Sequence, residues 1–224
     1  PEYKMIHVHQ DCLSSVILKV AAQHNVPTRV AHSHSVSQDK NLKYPIKLWY
    51  KRFISKYATD LFACGKDAGD WMFGGVPFQT INNAIDVAAY TYDPAKRQKV
   101  RRQLGLENEF TIGHVGRFNQ PKNHPFLLDI FAALLKKEPD AVLLLVGGGE
   151  DMPKIQAKVR TLGIAEHVRF LGVRSDVADL MQAMDVFVFP SLYEGLPVTM
   201  VEAQAAGLPC LISDKVPPEC ILAE

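Results

Sequence analysis

The sequence predicts an α/β protein with two Rossmann-like halves, each built around a mostly parallel β-sheet. Short apolar runs alternate with helical stretches along all 224 residues, and this alternation indicates βαβ units with right-handed crossovers. The run at residues 141–146 is apolar without alternation, as in a strand that is buried on both faces. A chain of this length can hold two domains, each with its own core.

Strands are predicted at residues 5–8, 28–31, 60–64, 78–82, 110–115, 141–146, 168–171, 185–189 and 209–212. Helices are predicted near residues 13–24, 44–57, 65–72, 94–104, 122–137, 152–162, 176–183 and 197–206. The hydrophobic periodicity is weakest near residues 87–94, so we place the domain boundary there, between residues 1–90 and residues 91–224. Ligands of such sheets bind beyond the carboxyl ends of the strands. We therefore expect a cleft between two facing sheets, with the site at the Gly-rich and polar turns of the second half.

The composition is that of an ordinary soluble protein, with 47% hydrophobic residues, 22% charged residues and a net charge of +1. No apolar run approaches the roughly 20 residues that cross a bilayer, and neither half has the basic pattern of a nucleic-acid binder. The four cysteines are scattered and form no Cys-x-x-Cys pair, which favours a reducing compartment over a disulfide framework. No histidine or cysteine spacing predicts a metal site.

The first candidate motif joins the end of a predicted strand to the start of a helix. Gly116 allows the backbone to approach a ligand, and Arg117 and Lys122 lie five residues apart, with Pro121 in the first helical turn. Two cations beside a helix start suit an anion such as a diphosphate. The alternative interpretation is a pair of solvated cations near a turn.

The second candidate motif places two acids eight residues apart, Glu194 in a loop and Glu202 inside the next helix. Pro197 suits the first helical position. The backbone N–H groups near Leu196, Val198 and Thr199 would then form a second seat for a phosphate. The alternative is a carboxylate that stabilises a helix N-terminus, followed by a solvated helical acid.

Taken in order, the motifs resemble a known family. They read Gly-Arg-Phe-x-x-x-Lys-Asn, a strand ending in Gly-x-Gly, Phe-Leu-Gly, Pro-Ser and Glu-x₇-Glu, with His-Val-His, His-Ser-His and Asn-Asn-Ala-Ile-Asp upstream. This set is similar to retaining glycosyltransferases of family four, which have the GT-B fold, and most of all to their bacterial capsule and exopolysaccharide branch. The resemblance covers essentially the whole chain. Because the chain starts without Met or a signal-peptide pattern, we expect an internal piece of a longer enzyme, truncated at both ends.

The resemblance implies a role for each matching residue. Arg117 and Lys122 would hold the donor diphosphate and stabilise it as the leaving group. Backbone around Arg174 would contact the nucleobase. Glu202 would accept hydrogen bonds from the ribose hydroxyls, and Glu194 would contact the hydroxyls of the transferred sugar.

In the first domain, the resemblance assigns to His32 a place facing the reaction centre, with His34 as the next-best match. The expected catalytic set is Glu194, His32, Arg117 and Lys122. The expected donor-binding set is Gly116, Arg117, Lys122, Arg174, Glu194, Leu196, Val198, Thr199 and Glu202. No Asp-x-Asp occurs in the sequence, so no metal or other cofactor is expected.

The implied activity is transfer of a hexose, with retention of configuration, from a nucleotide-sugar donor to a glycan or lipid-linked acceptor in cell-envelope polysaccharide synthesis. Two other interpretations stay open: a sugar-nucleotide epimerase or phosphorylase of the same architecture, and a non-catalytic nucleotide-sugar-binding piece. A dehydrogenase is disfavoured because neither glycine turn completes Gly-x-Gly-x-x-Gly.

Residues 40–56 form a basic segment without acids. Lys43, Lys47 and Lys51 share one predicted helical face, while Ile46, Trp49, Tyr50 and Phe53 share another. One interpretation is an amphipathic helix that packs on the sheet and leaves its lysines solvated. The other is docking on an anionic membrane surface, which would place a cytoplasmic protein at the inner face of the plasma membrane.

Overall fold

The structure, a computed structural model, describes residues 2–37 and 42–222. The chain divides into two units, of which the first holds Pro1–Asn83 with Glu194–Leu196, and the second holds Ala84–Tyr193 with Pro197–Glu224. Lys40, which belongs to the predicted basic segment, lies outside the described residues. The assignment of the two halves to acceptor and donor binding stays a prediction.

The first unit contains a four-stranded parallel sheet in the order β1-β2-β3-β4. Its strands are β1 (Met5–Val8), β2 (Thr28–Ser33), β3 (Asp60–Ala63) and β4 (Gln79–Thr80), and its helices are α1 (Ser14–Gln23), α2 (Tyr44–Lys51), α3 (Ile54–Tyr57) and α4 (Lys66–Phe73). The core of this unit includes Val8, Leu18, Val30 and Ala63, each at most 4% exposed.

The second unit contains a five-stranded parallel sheet in the order β7-β6-β5-β8-β9. Its strands are β5 (Thr111–Val115), β6 (Val142–Val146), β7 (Val168–Gly172), β8 (Val186–Phe189) and β9 (Cys210–Ile212). Its helices are α5 (Val87–Tyr90), α6 (Pro94–Gln103), α7 (His124–Leu134), α8 (Met152–Thr161), α9 (Val177–Gln182) and α10 (Val198–Ala205). All the predicted strands are present, which confirms the α/β class.

Strand β6 is buried along its whole length, as its unbroken apolar run predicts. Leu143 and Leu145 join Phe131 of α7 and Ile155 of α8 in one cluster of buried side chains. Leu144, between them, is also fully buried, because both faces of a central parallel strand are covered by other elements.

Three local predictions are wrong. Residues 44–57 form two helices, because the Phe53 N–H bonds to the Tyr50 carbonyl at 3.0 Å in a tight turn that ends α2 and directs Ile54 into the core, 1% exposed. Helix α5 was not predicted, since a single turn is too short to show a periodicity. Pro197 precedes α10 as its N-cap, because its ψ of 110° is extended.

The prediction that α2 has a solvated lysine face and a packed apolar face is also wrong in part. The Lys51 ammonium donates to the Trp71 backbone carbonyl and lies 4.6 Å from the centroid of the Trp71 ring, so it is not a solvated lysine. On the other side, Ile46 and Trp49 are 57% and 51% exposed. Among the described residues, no helix is both long enough and apolar enough to cross a bilayer.

Candidate active site

The order of the second sheet reverses at β5, which pairs with β6 on one side and with β8 on the other. In open parallel sheets, ligands bind beyond the carboxyl ends of the strands at such a reversal. The turns that follow β5 and β8 begin at Gly116 and Pro190. The candidate site of this unit therefore lies among residues of these two turns.

Three glycine turns meet at the carboxyl ends of β5, β6 and β7. The Gly116 N–H bonds to the Val146 carbonyl at 3.0 Å, and the Gly147 N–H bonds to the Gly172 carbonyl at 2.8 Å. Gly147 has φ of +135°, and a Cβ there would lie 2.0 Å from the Gly116 carbonyl oxygen. Only glycine allows this approach, so the turn that carries Arg117 lies against the turn after β6 through backbone atoms.

Arg117 and Lys122 follow this turn, but their environments differ. The exposed Arg117 guanidinium pairs with Glu150, with Nη2 to Oε2 at 3.0 Å and Nε to Oε2 at 3.2 Å. Lys122 ends a short 3₁₀ helix, Gln120–Lys122, and its Nζ lies 4.4 Å from the centroid of the Phe189 ring. A cation is attracted to the face of an aromatic ring, so this contact holds the Lys122 ammonium beside the end of β8.

Two hydrogen bonds join the Lys122 segment to the turn after β8. The Asn123 Nδ2 donates to the Pro190 carbonyl at 3.2 Å, and the Leu192 N–H donates to the Pro121 carbonyl at 2.8 Å. Asn123 adopts a left-handed backbone with φ of +52°, which asparagine tolerates better than most residues. The turns after β5 and β8 are thereby fixed to each other.

Two buried histidines lie beneath Lys122. The His114 Nδ1–H donates to the Val188 carbonyl at 2.8 Å, and His124 stacks on Phe118 with ring centroids 4.2 Å apart. Burial lowers the pKa of His114 to about 3, with His124 adding to the shift. Burial also lowers the pKa of His124 to about 4, and the Lys122 charge acts in the same direction. Both rings are therefore neutral at pH 7.

Glu202 lies inside α10, as predicted, and its Oε1 accepts a hydrogen bond of 2.6 Å from the Tyr90 hydroxyl. Burial, followed by this hydrogen bond and the charge of Glu202, raises the pKa of Tyr90, so the phenol stays a donor. Sequence reasoning missed Tyr90, which lies in the short helix α5 and carries no motif. Its side chain fixes the orientation of the Glu202 carboxylate.

The start of α10 carries the predicted donor-binding residues Val198 and Thr199. In the part of the chain that the structure describes, no side chain caps this helix. Its first N–H groups point away from the helix body and can donate to a ligand. At the end of β7, Arg174 pairs with Asp176, with Nη2 to Oδ2 at 2.6 Å, and remains partly exposed.

Three predicted site residues, His32, Glu194 and Leu196, belong to the first unit. His32 is 8% exposed. The Leu196 carbonyl accepts from the Asn83 Nδ2 at 2.8 Å, and a Cβ at Gly195 would lie 2.2 Å from the His34 carbonyl oxygen. The segment Glu194–Leu196 is therefore closely packed within that unit. The other predicted site residues, Gly116, Arg117, Lys122, Arg174, Val198, Thr199 and Glu202, belong to the second unit.

Comparison with known proteins gives a family match to part of the chain. The model of the family described as "Glycosyl transferases group 1" matches residues 109–224. The chain is 38% identical to the putative glycosyltransferase EpsF of Bacillus subtilis, over 96% of this chain and 58% of that protein. It is 27% identical to the UDP-Gal:alpha-D-GlcNAc-diphosphoundecaprenol alpha-1,3-galactosyltransferase of Escherichia coli, over 99% of this chain and 60% of that protein.

A solved structure shares the fold of the whole chain. The crystal structure of HepE from Anabaena in complex with UDP-glucose matches with a TM-score of 0.85 and 24% identity, over 100% of this chain and 63% of that one. Together with the two parallel α/β units, this likeness confirms the predicted GT-B fold class. The chain spans about three fifths of the length of these relatives.

The buried histidines make the second unit sensitive to acid. In the unfolded chain, histidine has its ordinary pKa, near 6.5. Below that pH, His114 and His124 are therefore protonated in the unfolded chain, whereas in the folded chain they remain neutral. Stability is therefore complete above about pH 7 and falls as the pH drops from 6.5 towards 4, by about 1.4 kcal/mol per pH unit for each such group. We expect His124→Phe, which keeps the stacking on Phe118, to reduce this slope in urea-unfolding measurements between pH 7 and 4.5.

The exposed His24→Gln serves as the control for removal of an imidazole elsewhere, and its slope should equal that of the unchanged protein. A His124→Phe protein that loses stability with acid as steeply as the unchanged protein contradicts a neutral buried His124.

Proposed function

Because the chain belongs to the group 1 glycosyl transferases, we propose that it is part of an enzyme that transfers a hexose from a nucleotide-sugar donor to a glycan or lipid-linked acceptor. The family assignment made from the sequence motifs is thereby confirmed. In the proposed reaction, the donor diphosphate binds beside Arg117 and Lys122. The observation that carries this is the position of both cations in the turn after β5, where the strand order reverses.

In this reaction, cleavage of the bond between sugar and phosphate builds negative charge on the leaving oxygen. Lys122 opposes that charge from a place next to neutral histidines, and Arg117 does so by releasing Glu150. The N–H groups of Val198 and Thr199 add partial positive charge at the start of α10. Lys122 and these N–H groups are already in place and stabilise a developing anion without reorganisation, whereas Arg117 must first leave Glu150. The proposed transfer uses no metal.

The acids and His32 have positioning and catalytic roles in the proposal. Glu202, oriented by Tyr90, accepts hydrogen bonds from the ribose hydroxyls, and Arg174 lies at the nucleobase. Glu194 contacts the transferred sugar, and His32 faces the reacting carbon. The configuration of that carbon is retained. In this proposal, the acceptor is a polysaccharide precursor of the cell envelope, handled on the cytoplasmic side of the membrane.

Removal of either cation is expected to slow the reaction. Arg117→Ala and Lys122→Ala should each lower kcat by at least about a hundredfold, because one preorganised donor to a developing anion contributes about 2.7–4 kcal/mol. The assay is release of nucleoside diphosphate together with formation of the glycoside. Lys136→Ala, at an exposed position on the chain after α7, is the control. An unchanged kcat in Lys122→Ala would remove the leaving-group role.

Loss of the Tyr90 hydroxyl is expected to weaken donor binding. Tyr90→Phe removes a hydrogen bond to a carboxylate, a contact worth about 1.5–3 kcal/mol, and leaves Glu202 free to rotate. We expect the donor KM to rise about tenfold with little change in kcat. Tyr92→Phe, whose side chain is 53% exposed, should leave both constants unchanged. A kcat loss without a KM change in Tyr90→Phe is incompatible with a ribose-binding role for Glu202.

A rival enzyme class is distinguished by its products. A sugar-nucleotide epimerase converts the donor without an acceptor, and a phosphorylase consumes inorganic phosphate. Neither would form a new glycoside from nucleotide sugar and acceptor. A non-catalytic nucleotide-sugar binder would bind the donor in a thermal-shift assay without turnover of any kind.

We also propose that α2 docks on an anionic membrane surface. The support is an exposed apolar stripe of Leu42, Ile46 and Trp49, which are 99%, 57% and 51% exposed, with the exposed cations Arg52 and Lys56 nearby. Ile46 and Trp49 are three residues apart and share one face of α2, and Leu42 lies in the turn before this helix. Insertion of such a face between headgroups is stabilised by roughly 1 kcal/mol for each cation near the surface.

Sedimentation with vesicles tests this docking. We expect the protein to sediment with vesicles containing anionic phosphatidylglycerol and to stay in solution with phosphatidylcholine alone. Trp49→Ala should reduce the bound fraction, whereas Phe126→Ala, an equally exposed aromatic in the second unit, should not. Equal binding to neutral and anionic vesicles contradicts the electrostatic part of the proposal.

A further inference from the structure

Four histidines lie on one face at the carboxyl ends of β1 and β2. His7 and Val8 pair in register with Val30 and Ala31 of the parallel neighbour, and side chains alternate along a strand. His7 and His9 therefore extend from the same face as His32 and His34. The His9 and His32 ring centroids are 5.1 Å apart, and those of His32 and His34 are 4.2 Å apart.

The ring nitrogens of this cluster converge. His7 Nε2 lies 3.2 Å from His32 Nδ1, and His9 Nδ1 lies 2.8 Å from His34 Nε2. One nitrogen each from His7, His9 and His32 fall within 4.8 Å of one another. A tetrahedral Zn²⁺ with bonds of about 2.0–2.1 Å holds its ligand nitrogens about 3.3 Å apart. The nitrogens lie up to 4.8 Å apart, so the exposed His7 and His9 rings would rotate to reach that geometry.

The surroundings of the rings also suit metal ligands. The Asn83 side chain hydrogen-bonds His34, and such outer contacts orient ligating imidazoles. His32 Nε2 is buried without a well-aligned hydrogen bond among the described residues, although the Ile81 backbone lies close to it.

We propose that His7, His9 and His32 form a binding site for a borderline transition-metal ion such as Zn²⁺, with His34 adjacent as a further imidazole ligand. Imidazole nitrogens favour Zn²⁺, Cu²⁺ and Ni²⁺, whereas Mg²⁺ prefers oxygen ligands. The site contains no phosphate-binding group of the second unit, but it shares His32 with the proposed transfer reaction, so a metal ion bound there would occupy a ring that this reaction uses. It is a second binding function of the first unit.

Cobalt spectroscopy and Zn²⁺ titration test the site, in purified protein without a polyhistidine tag. We expect Co²⁺ to give the strong visible absorption of a tetrahedral centre, Zn²⁺ to abolish it by displacement, and Mg²⁺ to leave it unchanged. His7→Asn and His9→Asn should each weaken Zn²⁺ binding at least about tenfold in calorimetric titration. His24→Asn, at an exposed position of the same unit, should bind Zn²⁺ as the unchanged protein does.

Both tested histidines are exposed, so their replacement should preserve folding, which far-ultraviolet circular dichroism and thermal unfolding verify. Absence of the tetrahedral cobalt absorption overturns the proposal, and so does Zn²⁺ affinity that survives in the His7→Asn/His9→Asn double variant. In either case the four rings form only a hydrogen-bonded cluster. A loss of sugar transfer alone does not bear on the site, since the test reads metal binding directly.

Discussion

The backbone contact between the turns after β5 and β6 is the constraint on which the candidate site of the second unit depends. A side chain at Gly147 would overlap the Gly116 carbonyl, and the Phe118 N–H bonds to the Gly148 carbonyl at 2.9 Å. Because the two turns touch through backbone atoms, Arg117 leaves the sheet at a fixed point. The 3₁₀ helix that follows then brings Lys122 over Phe189, and Asn123 ties it to the turn after β8.

Much of the fold could be predicted from the sequence, because its determinants are local. The apolar run of β6 shows burial on both faces, and Gly116 with Arg117 marks a strand end whose neighbours follow from parallel pairing. Helix starts at Pro94 and Pro197 were visible to within one residue. The break between α2 and α3 at Arg52 could not be predicted, because the apolar pattern continues without interruption across it.

The contacts that complete the site could not be predicted, because they join residues distant in sequence. Tyr90 and Glu202 are 112 residues apart, and nothing near Tyr90 in the sequence indicates a partner. His7 and His32 are 25 residues apart, and only the register between β1 and β2 places their rings together. The metal-ligand spacings known from sequence describe helices and tight turns, so they do not detect a cluster built across two parallel strands. The contact of Lys51 with Trp71 was not predicted for a similar reason, since Trp71 lies on α4.

Glu150 pairs with the Arg117 guanidinium and therefore competes with an incoming phosphate for it. Both side chains are largely exposed, and such pairs contribute little in water, so a diphosphate can take over the guanidinium without a large penalty. Added salt screens Glu150 and the ligand alike. Salt therefore weakens the Arg117–Glu150 pair of the unliganded state as well as the contact between Arg117 and the diphosphate. Donor binding should consequently depend on ionic strength less steeply than the number of cations near the ligand suggests.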